Sequence, residues 1–325
     1  SLFFAEISGS AVADVAALGS ILIPEMKKRG YGAPFAAAVT SSSASLAIII
    51  PPSIPMILYA VSANTSVEQL FVAGFIPGLM GAIGLMGVSW WFARRYNLPV
   101  EEAFNWPRLR HAAIEAGPTF LLPIIILGGI FGGFVTATEA AGLAVLAAIG
   151  VGIWYREVDF RQLHRAMLEG GMQTAVVMVL VAASVLMGGF LTRAQIPQEL
   201  AAQMVAFTDS KYVILLILNV FFLIIGFFLH SAAAIILVVP IVVPLIQQVG
   251  IDPVHFGLVV TLNLAIGQQT PPVASVLITA CSIARANIWE VTRVNLPFIG
   301  VLVGVLLICT YVPAIPMFLV ELFYR

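Results

Sequence analysis

The chain has 325 residues, 61% of them hydrophobic and 10% charged, with a formal net charge of −1. An average soluble protein carries about 25% charged residues, so this one cannot build a polar skin, and most of its surface is read as facing lipid. That excludes a cytosolic enzyme, a secreted disulfide scaffold and, with no basic stripe, a nucleic-acid binder.

Ser1 is not a start methionine, and residues 1–6 lack the basic and apolar regions of a signal peptide. The chain is expected to begin inside a structural element. A hydrocarbon core about 30 Å thick takes about 20 apolar residues per helix. In chain order, residues 70–93, 117–135, 139–155, 172–192 and 296–312 read as spanning helices. Residues 30–67 carry no charge over 38 positions but are interrupted at Pro51-Pro52; residues 212–251 carry none over 40 and are interrupted near His230-Ser231. A straight helix of that length would measure about 60 Å, so the second region must fold back or cross twice. Cys281 and Cys309 lie in apolar runs and read as packed thiols.

Sliding the sequence by 220 residues places Pro24 on Pro244, Gly30 on Gly250, Pro51-Pro52 on Pro271-Pro272, Ser62 on Ser282 and Pro77 on Pro297. Proline inside a helix is costly and positional, so two copies of one unit, in register without a gap, are expected. Nothing comparable to residues 117–192 precedes the first copy, which suggests that roughly a hundred residues are missing upstream. With residues 212–249 as a re-entrant hairpin, and those before Met26 as the arm of its twin, five spans separate the two hairpins, so the copies are inverted. Inverted repeats are a recurring build of secondary transporters. The layout puts Lys27, Lys28, Arg29, Arg94, Arg95, Arg108, Arg110, Arg156, Arg161, Arg165, Arg285 and Arg293 on one side and Arg193, Lys211 and Arg325 on the other. This bias makes the first side cytoplasmic and the C-terminus periplasmic.

Breaks at membrane depth persist where they line a polar cavity or bind ions. Four are expected: Ser8-Gly9-Ser10 at the first hairpin tip, Ser41 through Ser53, His230-Ser231 at the second tip, and Asn263 to Thr270 before Pro271-Pro272. Their carbonyls, hydroxyls and amides are neutral ligands for a small hard cation, so one sodium site is expected where the first tip meets the first broken helix, with a twin in the second copy. Asp14, one turn after Ser10, either compensates a cation or caps the hairpin arm. His230 either touches substrate, carries a proton or bonds a carbonyl. Glu139, after Thr136, reads as a helix cap. Gly74, Gly78, Gly81, Gly84 and Gly87, and likewise Gly128, Gly129, Gly132 and Gly133, read as faces for close helix packing. No phosphate loop or ATP motif is present, so pumping would draw on an ion gradient.

The segments ISGSAVADVAALGSILIPEMKKRGY (7–31), IIPPSIPM (49–56) and DPVHFG…NLAIG…TPPV (252–273) resemble the large membrane subunit of tripartite ATP-independent periplasmic (TRAP) transporters. The resemblance covers essentially the whole chain. It implies an all-α polytopic membrane protein of the ion transporter superfamily, with inverted repeats, two re-entrant hairpins, two broken transmembrane helices and an elevator motion. It implies a sodium-driven importer, not an enzyme, in the bacterial inner membrane, carrying a C4-dicarboxylate, sialic acid or other sugar acid. Its partners would be a small membrane subunit and a periplasmic substrate-binding protein. Residues 1–93 would form the first repeat, 94–210 scaffold and connecting helices, and 211–325 the second repeat, within one transport domain.

By motif position, Ser8 and Ser53 match residues near substrate, and His230 joins them at the second tip. Gly9, Ser10, Ser43, Ser45, Asn263, Gly267 and Thr270 match the sodium regions, with Ser231 at the second tip. The chain departs from the commoner pattern at His230, where an acidic residue is frequent, and at Gln268-Gln269 and Ala274-Ser275. These departures bear on substrate and ion stoichiometry. The alternative is a standalone sodium-coupled carboxylate carrier or ion antiporter of the same superfamily. An intramembrane hydrolase is disfavoured: Ser8, Ser10, Asp14 and His230 supply nucleophile and base types, but neither a GxSx motif with a later helical His nor a paired-Asp motif accompanies them.

Overall fold

A computed structural model describes residues 4, 8–98, 105–156, 158–196, 199, 202, 203, 208 and 210–324. Regular structure among them is helical throughout. The chain runs through α1 (Ala11–Lys28), α2 (Ala33–Ala44), a 3₁₀ turn (Ser45–Ile48), α3 (Ile54–Ala63) and α4 (Val67–Arg95). It continues through α5 (Trp106–Glu115), a 3₁₀ turn (Gly117–Phe120), α6 (Leu121–Phe131), α7 (Ala137–Trp154) and α8 (Phe160–Arg193). It ends with α9 (Lys211–Phe228), α10 (Ser231–Gln248), α11 (Pro253–Gly267), α12 (Ser275–Ala284), α13 (Ile288–Tyr311) and α14 (Ala314–Tyr324). Six of these, α4, α7, α8, α9, α10 and α13, are long and apolar enough to cross a membrane. The chain is a polytopic all-α membrane protein. Arg325, and the residues before Phe4, lie outside the described residues.

Two compact units form, Ser1–Pro99 with Leu180–Arg325, and Val100–Val179. The second is narrower than the 94–210 segment expected between the repeats. In it, the single span expected at 117–135 is instead the 3₁₀ turn and an 11-residue α6, about 17 Å long, joined to α5 through a bend of 62°. Helix α5 stops at Glu115, and Pro118, which has no N–H to donate, falls at the start of the 3₁₀ turn. Thr136 and Glu139 form the reciprocal capping box at the start of α7, the Thr136 amide donating to Glu139 Oε2 at 2.8 Å. The expected packing role of the second glycine run is not seen at Gly128, where an added Cβ would meet nothing within 4 Å. Only Ala140 of α7 is buried, so its apolar side chains are left facing outward.

In the first unit the duplication is explicit. Helices α1 and α10 match end for end at an offset of 220, and Gly30 and Gly250 follow them with positive φ. Pro51-Pro52 and Pro271-Pro272 are both cis. Beyond them the register departs from the gapless one expected from sequence. The N-caps Ser53 and Ala274, the helices α3 and α12, and their left-handed C-caps Asn64 and Arg285 stand 221 apart. One extra residue sits in the second break, and the sequence matches Ser62 with Ser282 and Pro77 with Pro297 are each out by one position.

The two copies exchange contacts. α1 packs on α12 and α10 on α3; α2 packs on α13 and α11 on α4. This reciprocity is the signature of a pseudo-two-fold axis within the unit. At its centre, α11 is buried from Val254 to Gly267, and Tyr59, Phe71, Phe222, Phe256 and Phe298 are fully buried. Four of the five glycines in the first run, Gly74, Gly78, Gly81 and Gly84, make the close packing expected of them. A Cβ on Gly74 would lie 2.3 Å from the Ile49 carbonyl oxygen, and one on Gly84 would lie 2.4 Å from Val301. Gly87 is open.

Candidate functional site

The breaks are shorter than the sequence suggested. Helix α2 and its 3₁₀ extension run to Ile48, so Ser43 and Ser45 are helical, not unwound. Their hydroxyls donate to the Thr40 and Ser41 carbonyls at 3.1 and 3.3 Å, the back-bonding that helical serines favour. Asn263 and Gly267 likewise lie inside α11, and Thr270 Oγ1 donates to the Ile266 carbonyl at 3.0 Å. The unwound backbone is 49–53 in the first copy and 268–274 in the second.

Each hairpin tip ends in a helix cap at the same repeat position. Ser10 caps α1, accepting from the Ala13 amide at 3.5 Å, and His230 caps α10, its Nδ1 accepting from the Ala232 amide at 3.4 Å. Gly9 adopts φ +60°, and its carbonyl accepts from the Ile54 amide at 3.3 Å. An added Cβ there would come 2.9 Å from the Pro52 carbonyl oxygen. The first tip is therefore seated on the first break, as expected.

A small cavity of about 30 Å³ lies where the elements converge, room for about two waters. Its walls come from both tips, from the helix ends flanking the first break and from the start of the second. The equivalent pairs Ser10 and His230, Ala11 and Ser231, and Ile48 and Gln268 all line it, with Gly9, Ile54, Pro55 and Ala232. Of the residues singled out from sequence, Gly9, Ser10, His230, Ser231 and Gln268 are brought together here. Ser8, Ser53, Ser43, Ser45, Asn263, Gly267 and Thr270 do not line it. Ser53 is buried within the first break, where its hydroxyl donates to the Ile48 carbonyl at 2.7 Å and accepts from the Met56 amide.

Among the described residues, three buried side-chain polar atoms have no hydrogen-bond partner: Asp14 Oδ2, Asn263 Oδ1 and Gln268 Nε2. Asp14 is fully buried on α1, and Ser8 Oγ donates to its other oxygen. Asp14 thus fastens the tip, while the helix cap is Ser10. Asn263 donates to Asn219 Oδ1 at 2.7 Å and to the Val259 carbonyl at 2.8 Å; Asn219 in turn donates to Thr310 Oγ1 at 3.1 Å. Gly226 and Gly267 allow α9 to close on the end of α11, backbone against backbone.

A second polar cluster was not foreseen in sequence. Gln269 Nε2 donates to the Ser41 carbonyl and to Ser45 Oγ. Asn295 Nδ2 donates to Gln269 Oε1 at 3.0 Å, and Ser42 Oγ donates to Asn295 Oδ1. All five residues are buried. They join the first broken helix to the second break and to α13. The signals in sequence were the serine cluster at Ser41 to Ser45 and the departure at Gln269; Asn295, just before the apolar run at 296–312, carried none.

The sequence pattern of the tripartite ATP-independent periplasmic transporter DctM component matches residues 1–315. The chain belongs to this family. It is 42% identical over 319 residues to the isethionate TRAP transporter permease protein DctMQ of Oleidesulfovibrio alaskensis, covering 98% of this chain and 50% of that protein. It is 37% identical over 315 residues to the C4-dicarboxylate TRAP transporter large permease protein DctM of Pseudomonas aeruginosa, covering 97% of this chain and 74% of that one. It is 36% identical over 324 residues to the sialic acid TRAP transporter large permease protein SiaM of Vibrio cholerae, covering 99% and 76%. The chain thus spans half the length of the first of these and about three quarters of the other two.

Proposed function

We propose that this DctM-family chain is the membrane carrier of a TRAP transporter that imports an organic anion across the bacterial inner membrane on a sodium gradient. The observation that carries the reading is the cavity walled by both hairpin tips, by the residues flanking the first break and by Gln268 of the second. The unpartnered buried oxygens of α1 and α11, which lie outside its lining, support the coupling. A buried oxygen without a donor is costly, and a sodium ion bound at Asp14 Oδ2 or Asn263 Oδ1, one in each copy, would remove that cost. Relatives named for isethionate, C4-dicarboxylates and sialic acid point to an organic acid as cargo. The α9–α10 and α1 hairpins are re-entrant in this reading and the copies inverted. The hairpins and broken helices move as an elevator, and the C-terminus is periplasmic. The partners are a small membrane subunit and a periplasmic substrate-binding protein.

The test is uptake into proteoliposomes holding the full-length protein with its small subunit. Isethionate, succinate and N-acetylneuraminate are offered with and without the binding protein. The expected result is accumulation of one anion that requires both an inward sodium gradient and the binding protein. Accumulation indifferent to sodium would overturn the coupling. Sodium-driven uptake without the binding protein would instead identify a standalone carboxylate carrier.

A further inference from the structure

Ile48 and Gln268 occupy the same position in the two repeats, and both face the cavity. The repeat is asymmetric just where it matters for a ligand: one wall is aliphatic, the other carries a carboxamide. Gln268 is 2% exposed. Ser275 Oγ donates to its Oε1 at 3.3 Å, and the Gln268 carbonyl accepts from the Val276 amide at 3.2 Å. Its backbone and one end of its amide are thereby fixed by the start of α12. The other end, Nε2, has no partner.

A carboxamide nitrogen is a donor only. It cannot ligate a cation, and left bare in a buried place it is destabilising. In a cavity this small the acceptor that fits is a water; when the tips and breaks part to admit cargo, an oxygen of that cargo takes its place. We infer that Gln268 is the residue through which the cavity recognises its cargo, donating from Nε2 to a carboxylate or sulfonate oxygen. Ser275 acts as the positioning residue that holds the amide with its nitrogen toward the ligand. The assignment rests on the reading of the chain as an organic-anion carrier. It also divides the labour among the unpartnered atoms: oxygens for cations at Asp14 and Asn263, a nitrogen for the anion at Gln268.

Three variants of the full-length protein, assembled with its small subunit and loaded binding protein, test this. The probe is whichever of isethionate, succinate and N-acetylneuraminate wild type accumulates fastest. Gln268→Met keeps the volume and removes the stranded donor. It is expected to lower initial uptake about tenfold or more, as for loss of a hydrogen bond to a charged group. The half-saturating sodium concentration should be unchanged and the thermal midpoint unchanged or higher. Gln268→Glu, which turns a negative group toward the anion, should be worse than Gln268→Met. Ser275→Ala should lower uptake severalfold.

Wild-type uptake in Gln268→Met, uptake by Gln268→Glu equal to wild type, or a fall in stability that parallels the fall in uptake would each overturn the assignment. Failure of the underlying reading looks different. Wild type would then accumulate none of the three anions under a sodium gradient, and the role of Gln268 would fall with it.

Discussion

Lys27 Nζ donates to the Ala284 carbonyl at 2.8 Å, tying the foot of the first copy's hairpin arm to the last turn of the second copy's broken helix. The ammonium satisfies a carbonyl that α12 leaves without an intrahelical partner. Because Lys27 is exposed, the contact is worth about 1 kcal/mol or less. Lys27→Met is expected to lower the thermal midpoint of the purified protein by about 1 °C, and Lys27→Arg to restore it. An unchanged melt for Lys27→Met would show that the bond contributes nothing.

The Ser42–Asn295–Gln269 cluster predicts a larger effect. Asn295→Ala strands the Ser42 hydroxyl and Gln269 Oε1 in a buried place, at about 1–3 kcal/mol for each group left unpaired. Ser42→Ala together with Asn295→Ala should cost less than the sum of the two, giving a coupling of about 0.5–3 kcal/mol in a double-mutant cycle. Additive losses would mean that the two side chains do not act as a pair.

Gly74 and Gly87 share one helix and one glycine run, but thirteen residues at 3.6 per turn set them about 140° apart, so Gly74→Ala and Gly87→Ala should differ. The first drives a methyl into the Ile49 carbonyl, a rigid obstacle, and should cost about 1–3 kcal/mol. The second meets nothing and should leave the melt unchanged or raise it by up to about 1 kcal/mol. Equal melts for the two variants would contradict the seating of α4 on the first break.

On the sodium reading, Asn263→Ala removes an unpartnered oxygen together with the donor to Asn219. The expected result is a half-saturating sodium concentration raised severalfold in the uptake assay. Unchanged sodium activation after Asn263→Ala combined with Ser43→Ala would remove both helical polar positions from the ion sites.

His230→Asp separates two roles. Aspartate is a strong helix N-cap, so α10 should be held at least as well. A negative group at the rim of the cavity, however, should slow entry of an anion. The melt is expected to hold while uptake falls. Full uptake would place position 230 outside the anion path.

Much of this architecture was legible because prolines and glycines have few uses. Pro51-Pro52, Pro271-Pro272, Gly30 and Gly250 mark both breaks and both turns by residue type alone. The slip to 221 was not legible, because the residues around Val273 and Ala274 carry no repeated feature against which to align an insertion. Nor was the fate of the serine hydroxyls. Composition shows that Ser43 and Ser45 are polar, but only the helix running on to Ile48 shows that their nearest acceptors are carbonyls of the preceding turn. Asn295 was invisible for a related reason: its partners, Ser42 and Gln269, come from two distant segments, and no local periodicity records such a meeting. At Gly128 the spacing suggested a packing face, yet spacing alone does not say whether a neighbour arrives.

The exchange of contacts between copies sets a schedule for synthesis. Helix α1 leaves the ribosome before its partner: Ala284, which receives Lys27, is made 257 residues later. At about 5–20 residues per second, the first arm waits roughly ten to fifty seconds for its seat. During that interval its inward face has only bilayer or insertion machinery for company. Either half expressed by itself would remain permanently in that condition.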